Sequence, residues 1–200
     1  MIRINDDIAG ITEERLEEML ELMPPWRREV TLRYKRHGSR RESAAAFLLL
    51  QDMLREEYGI TEPLAFEYGD LGKPHLIGHN DIHFNMSHCR NAVACAVAEH
   101  PVGIDIESLG RYRKPLAEYT LSKDELQQLS HAAYEGLSAE ESRDVAFVTL
   151  WTKKEALLKL VGTGIVSDLK NILQQHDGSV TFETVVDIPK RYVCTVAYYV

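Results

Sequence analysis

The stretch VGIDIE at residues 102–107 constrains this chain more than any other. Its alternating aliphatic content predicts an extended strand, and the side chains of a strand leave to its two sides in turn. Ile104 and Ile106 therefore share one side, which a core has to cover. Asp105 and Glu107 share the other, where like charges repel. A fold that accommodates this strand must bring positive charge to its acidic side.

With 200 residues and 44% hydrophobic content, the chain can bury a core as one domain or as two small ones. The net charge of -8 argues against a general duplex-binding protein, which needs surplus lysine and arginine for the phosphates, so no nucleic-acid partner is expected. The charge is unevenly placed. Between residues 26 and 41, WRREVTLRYKRHGSRR carries seven basic residues against the single Glu29, a local +6 that leaves -14 elsewhere. Such a run is either a solvated helix face or a small anionic site. Cys89, Cys95 and Cys194 form neither a C-x-x-C pair nor an even framework, which fits reduced thiols, and Cys89 and Cys95 read as buried apolar side chains. With no leader-like N-terminus and no apolar run of membrane-spanning length, the expectation is a soluble, cytoplasmic protein without a membrane partner.

Helices and strands are segregated along the chain. Leu16, Met19, Leu20 and Met23 recur at helical spacing after Thr12, a capping residue, and Pro24-Pro25 end the pattern. A long helix is predicted from Ser39 to Tyr58, closed by Gly59. YGDLGKPHLIGHND reads as a loop, and IHFNMS, AVACAVA and VGIDIE as strands, the last two joined by a turn through EHP. Ser122 with Glu125 and Ser138 with Glu141 form capping boxes, the second opening a helix to about Val161. SVTFETVVDI and RYVCTVAYYV are closing strands. An α+β fold follows, with helices preceding strands in each half. GTG at 162–164 follows a helix and is no dinucleotide fingerprint, and the usual phosphate loop G-x-x-x-x-G-K does not occur.

On the helix containing LWTKKEALLK, Glu155 and Lys159 lie four apart on a face shared with Trp151 and Thr152. By itself such a pair reads as a surface salt bridge. Together with the strand it offers more: Asp105, Glu107 and Glu155 make three hard oxygen ligands of the kind Mg²⁺ takes, and Lys159 supplies a point charge for a phosphate.

VGIDIE followed by LWTKKEALLK resembles the two signature motifs of the 4′-phosphopantetheinyl transferases, [IV]-G-[IV]-D-[IV]-E and W-[ST]-x-K-E-[AS]-x-x-K. LGKPHL and HFNMSHC are similar to motifs in that family's N-terminal half, and order and spacing resemble its larger, surfactin-synthetase-activating type. The resemblance implies two similar α+β halves, residues 1–100 on the coenzyme A side and 101–200 with the metal motifs, related by a pseudo-twofold axis in a monomer with the site in the cleft between them. It implies Mg²⁺ held by Asp105, Glu107 and Glu155 together with the pyrophosphate of coenzyme A. The implied reaction moves phosphopantetheine to a serine of an apo acyl or peptidyl carrier protein and releases adenosine 3′,5′-bisphosphate. Glu155 is then base, metal ligand or both, beside Asp105 and Lys159 as catalytic residues. Lys73, Ser87, His88, Lys159, Arg27, Arg28 and Ser43 would bind coenzyme A, while Glu125 has a sufficient role in its capping box. Fatty-acid, polyketide and peptide carriers all remain open, as does the division of the basic run between phosphate and carrier. A non-catalytic coenzyme A or carrier-binding module, or a Mg²⁺-dependent phosphohydrolase, would use the same residues.

Overall fold

The computed structural model describes residues 1–164, 169–176 and 178–200. The chain opens with a short strand, β1 (Ile2–Asn5), followed by helices α1 (Glu13–Glu21), α2 (Pro25–Leu32) and α3 (His37–Tyr58). Thr12 caps α1 by accepting a hydrogen bond from the Arg15 amide, and Gly59 ends α3 in the left-handed conformation, φ 67°. The two prolines that end the first periodic pattern also begin α2. Pro25 occupies its first turn, where a missing N–H removes no helical hydrogen bond.

The glycine-rich stretch expected as a loop is in part a hairpin, β2 (Phe66–Tyr68) against β3 (Pro74–Leu76). Gly69 donates its N–H to the Lys73 carbonyl at 3.0 Å and closes the turn. Three strands follow, β4 (His83–His88), β5 (Val93–Ala98) and β6 (Val102–Ser108). The EHP connection carries the chain from one sheet to another, since β5 pairs with β1 and β4 and β6 does not join them. Helices α4 (Lys114–Thr120), α5 (Lys123–Ser130), α6 (Ala139–Val161) and α7 (Ile172–Gln175) precede the closing hairpin β7 (Val180–Asp187) and β8 (Tyr192–Tyr199). Both expected capping boxes are present, Ser122 with Glu125 on α5 and Ser138 with Glu141 on α6.

One antiparallel sheet has the order β1-β5-β4, the other β6-β8-β7. The strand order is the same in each: the opening strand lies on one edge, and the second strand of a later antiparallel pair lies in the middle. The fold is α+β, as expected. Strand β5 is buried on both faces, which is why AVACAVA lacks polar alternation. Val93, Cys95 and Val97 join the core under α3 with Phe47, Leu50 and Phe84. Ala94 and Ala96 point the other way, into a core shared with Ile104, Ile106, Cys194 and Val196 of the second sheet. The isoleucine side of VGIDIE is covered by this joint layer. Strands β4 and β6 run beside each other without a backbone ladder, and the Asn85 side chain bridges them, its Oδ1 accepting from Ile104 N at 2.9 Å.

Candidate active site

Helix α6 lies flush on β6 because residue 103 has no side chain. A Cβ built on Gly103 would stand 2.1 Å from the Ala156 carbonyl oxygen and 2.4 Å from Leu160 N, both helix backbone. This close approach brings the Glu155–Lys159 turn to the acidic side of the strand. Lys159 Nζ donates to Asp105 Oδ1 at 2.7 Å, to Ser87 Oγ at 2.9 Å and to the Ile104 carbonyl at 3.0 Å. Ser87 Oγ donates to the same Asp105 oxygen at 2.8 Å. Asp105 is 4% exposed, and its second oxygen, Oδ2, is buried without a hydrogen-bond partner. Glu107, the other acid of the strand, is held at 2.6 Å by Arg111, whose guanidinium lies over the Trp151 ring, 5.3 Å from its centroid.

The carboxylates sense one another. Glu107 and Glu155 are both shifted above the usual range, by burial and then by the charge of Asp105, with Lys159 and Arg111 opposing. Among the described residues no three His, Cys, Asp or Glu side chains stand together as a finished metal cage. The donor set nevertheless fits a hard divalent cation: the charge of Asp105 acts on both Glu107 and Glu155, and one buried oxygen of Asp105 lacks the partner that such a cation would supply.

The coenzyme A-side candidates divide into two groups. Arg27, half-buried on α2, donates to Ser43 Oγ at 2.8 Å and to the Ser43 carbonyl at 3.0 Å, lies over the Phe47 ring, and keeps its Nε buried without a partner. His88, at the end of β4 beyond Ser87, pairs with Glu42 at 3.3 Å. Its basicity is lowered by burial and then by Lys159 and Arg27, so its ring senses both clusters. Arg27 and Ser43 thus form one hydrogen-bonded group, and His88 lies within electrostatic reach of both Arg27 and Lys159. Arg28 and Lys73 stand apart from these residues. Arg28 is exposed on α2 outside the hydrogen-bonded group. Lys73 donates to the carbonyls of Lys159 at 2.7 Å and Leu160 at 2.9 Å, closing the C-terminal end of α6. Its ammonium sits at the helix terminus, where its charge complements the macrodipole. Lys73, Pro74, Asn85, Glu155, Lys159 and Gly162 line a cleft of about 220 Å³ between the β2–β3 turn and α6.

Several residues with a part in this site drew no role from the sequence. Asn85 was signalled by a polar residue in an apolar strand, and Gly103 by a glycine within one. Lys154 gave no signal: it is 2% exposed and donates to Glu125 Oε2 at 2.8 Å and to the Thr120 and Leu169 carbonyls. Glu125 therefore caps α5 and neutralises a lysine that fixes α6 against α4 and the segment after α6. The cysteines are buried, with the Cys194 thiol pushed up to about 12, which suits packing and not nucleophilic chemistry. No helix among the described residues is long and apolar enough to cross a membrane.

The 4′-phosphopantetheinyl transferase superfamily model matches residues 101–198, the half that carries β6 and α6. Similar proteins include 4′-phosphopantetheinyl transferase psf-1 of Bacillus pumilus, 29% identical over 87% of this chain and 75% of its own length. The transferase Sfp of Bacillus subtilis (strain 168) is 27% identical over 86% of this chain and 76% of its own. The transferase gsp of Aneurinibacillus migulanus is 35% identical over 58% of this chain and 48% of its own.

Proposed function

Because the chain belongs to the 4′-phosphopantetheinyl transferase superfamily, and to its Sfp-like type, we propose that it transfers the 4′-phosphopantetheine group of coenzyme A to a serine of an apo acyl or peptidyl carrier protein. The observation that carries the reading is the convergence at Asp105. A buried carboxylate with one unpartnered oxygen meets Lys159 and Ser87 where α6 seats on β6.

In this reading the serine hydroxyl attacks the β-phosphate of coenzyme A, forming a phosphoester bond as the pyrophosphate bond breaks and adenosine 3′,5′-bisphosphate leaves. Phosphoryl transfer asks a protein mainly for positioning and for positive charge around the oxygens. Asp105, Glu107 and Glu155 would hold Mg²⁺, which when bound neutralises charge on the transferring phosphate. Lys159 provides the fixed cation next to it. Glu155, facing the cleft from α6, takes the serine proton. Arg27, Ser43, Ser87 and His88 would contact the nucleotide phosphates; Arg28 and Lys73 would contribute charge at the periphery. Residues 1–100 then supply the coenzyme A side and 101–200 the metal side of one site in a cytoplasmic monomer.

The test is incubation with coenzyme A, Mg²⁺ and a panel of apo carrier proteins, followed by intact-mass analysis. One phosphopantetheinyl group added to a carrier supports the proposal. Hydrolysis of coenzyme A without a carrier would replace it by the phosphohydrolase reading, and coenzyme A binding without turnover by the non-catalytic one.

A further inference from the structure

We propose that Arg111 is a positioning residue: it holds Glu107 as an intramolecular stand-in for the divalent cation and releases it when the cation binds. The inference rests on the metal reading of Asp105, Glu107 and Glu155. Each acid of the strand is drawn onto a different side-chain cation, Asp105 onto Lys159 at 2.7 Å and Glu107 onto Arg111 at 2.6 Å. That division gives a physical reason why the described carboxylates do not converge as a finished cage. Lys159 is fixed by two further acceptors, Ser87 and Ile104, so it remains in place whatever happens to Asp105. Arg111 differs. It follows β6, its side chain is 41% exposed, and besides Glu107 its guanidinium has the face of Trp151 to lie on. Stacking needs no carboxylate, so Arg111 can let Glu107 turn inward and keep its seat on the ring. The arrangement neutralises both acids of the strand whenever no cation is bound and exchanges one partly exposed ion pair for a metal bond.

Two readouts test this apart from turnover, both on the full chain with no carrier present. Calorimetric titration with Mg²⁺ compares the wild type with Arg111→Gln. Removal of the competing guanidinium should tighten Mg²⁺ binding roughly 1.5- to fivefold, the range expected from losing a partly exposed ion pair. Arg111→Lys keeps a charge for Glu107 and should stay near the wild-type affinity. In a Trp26→Phe background, where Trp151 is the single tryptophan, Mg²⁺ should change the wild-type emission because the guanidinium stacked on the ring loses its carboxylate partner, and should leave that of Arg111→Gln nearly unchanged. Equal or weaker Mg²⁺ binding by Arg111→Gln overturns the stand-in role and leaves the metal reading standing. Absence of Mg²⁺ binding in both proteins overturns the metal reading itself.

Discussion

Asp105 shows how much one oxygen atom decides. Its Oδ1 is satisfied twice, by Ser87 and Lys159, while Oδ2 is buried and bare. Glu155 is half-buried on the cleft face of α6, and replacing it by glutamine removes charge without removing volume. Glu155→Gln should therefore keep the wild-type urea midpoint and lose about 100-fold or more in transfer rate, the scale of a lost base or ligand. Carrier mass shift against time measures this, and a wild-type rate would remove Glu155 from the chemistry. One position earlier the expectation reverses. Lys154 is enclosed with Glu125, and Lys154→Met leaves that carboxylate without its charge partner, so the loss is one of stability, about 3–5 kcal/mol. Urea denaturation followed by circular dichroism reads it. The two neighbours thus separate a functional charge from a structural one, although in the sequence they are adjacent letters of one motif.

At the scale of elements, the site depends on how closely α6 can lie on β6. Gly103→Ala would place a methyl group inside backbone atoms of α6, and neither partner is a flexible side-chain end. The helix has to lift, at about 1–3 kcal/mol or more, and the Glu155–Lys159 turn moves with it. The expected result is a folded but less stable protein with transfer reduced far beyond what the stability loss explains; a rate within a factor of two of wild type would show that the seating of α6 is not critical. Elements defined by local hydrogen bonds were legible in the sequence: the Thr12 cap, the boxes at Ser122 and Ser138, and the Gly59 terminus. Those defined by a distant partner were not. β1 is four residues with Arg3 and Asn5 inside it, and only pairing with β5 makes it a strand. The β2–β3 hairpin has three-residue strands, too short for alternation to register. Pro24-Pro25 carried two meanings, a stop and a start, and the second was missed. In the candidate site, the shared strand side of Asp105 and Glu107 and the shared helix face of Glu155 and Lys159 were readable because each spacing is local; spacing alone did not bring the two faces together, because Asp105 and Lys159 lie 54 residues apart. The capping of α6 by Lys73 was not readable either, because it joins residues 86 apart.

Across the whole molecule, two sheets with the same strand order share one apolar layer. Ala94 and Ala96 of β5 pack with Ile104 and Ile106 of β6, and Asn85 ties β4 to the Ile104 amide. The hydrogen-bonded group at Asp105 straddles this seam, Ser87 on one side and Asp105 and Lys159 on the other, so its geometry requires the two sheets to stay docked. Separating them would expose the alanine and isoleucine faces and leave a buried amide and an asparagine oxygen without each other, which makes independent unfolding unfavourable. The chain carries its own reporters: Trp26 packs against Phe47 and Phe66 in the first half, and Trp151 against Phe147 in the second. Single-tryptophan variants, Trp151→Phe and Trp26→Phe, should each follow the same urea transition by fluorescence as by circular dichroism. With urea slopes of about 1–3 kcal/mol per molar, a fluorescence midpoint displaced by about 0.5 M from the circular-dichroism midpoint of the same variant would mean that one half opens before the other. Coincidence within each variant would mean that losing either half dissolves the site, and that any substitution in the shared layer, however far from Asp105, acts on transfer through the docking of β4 on β6.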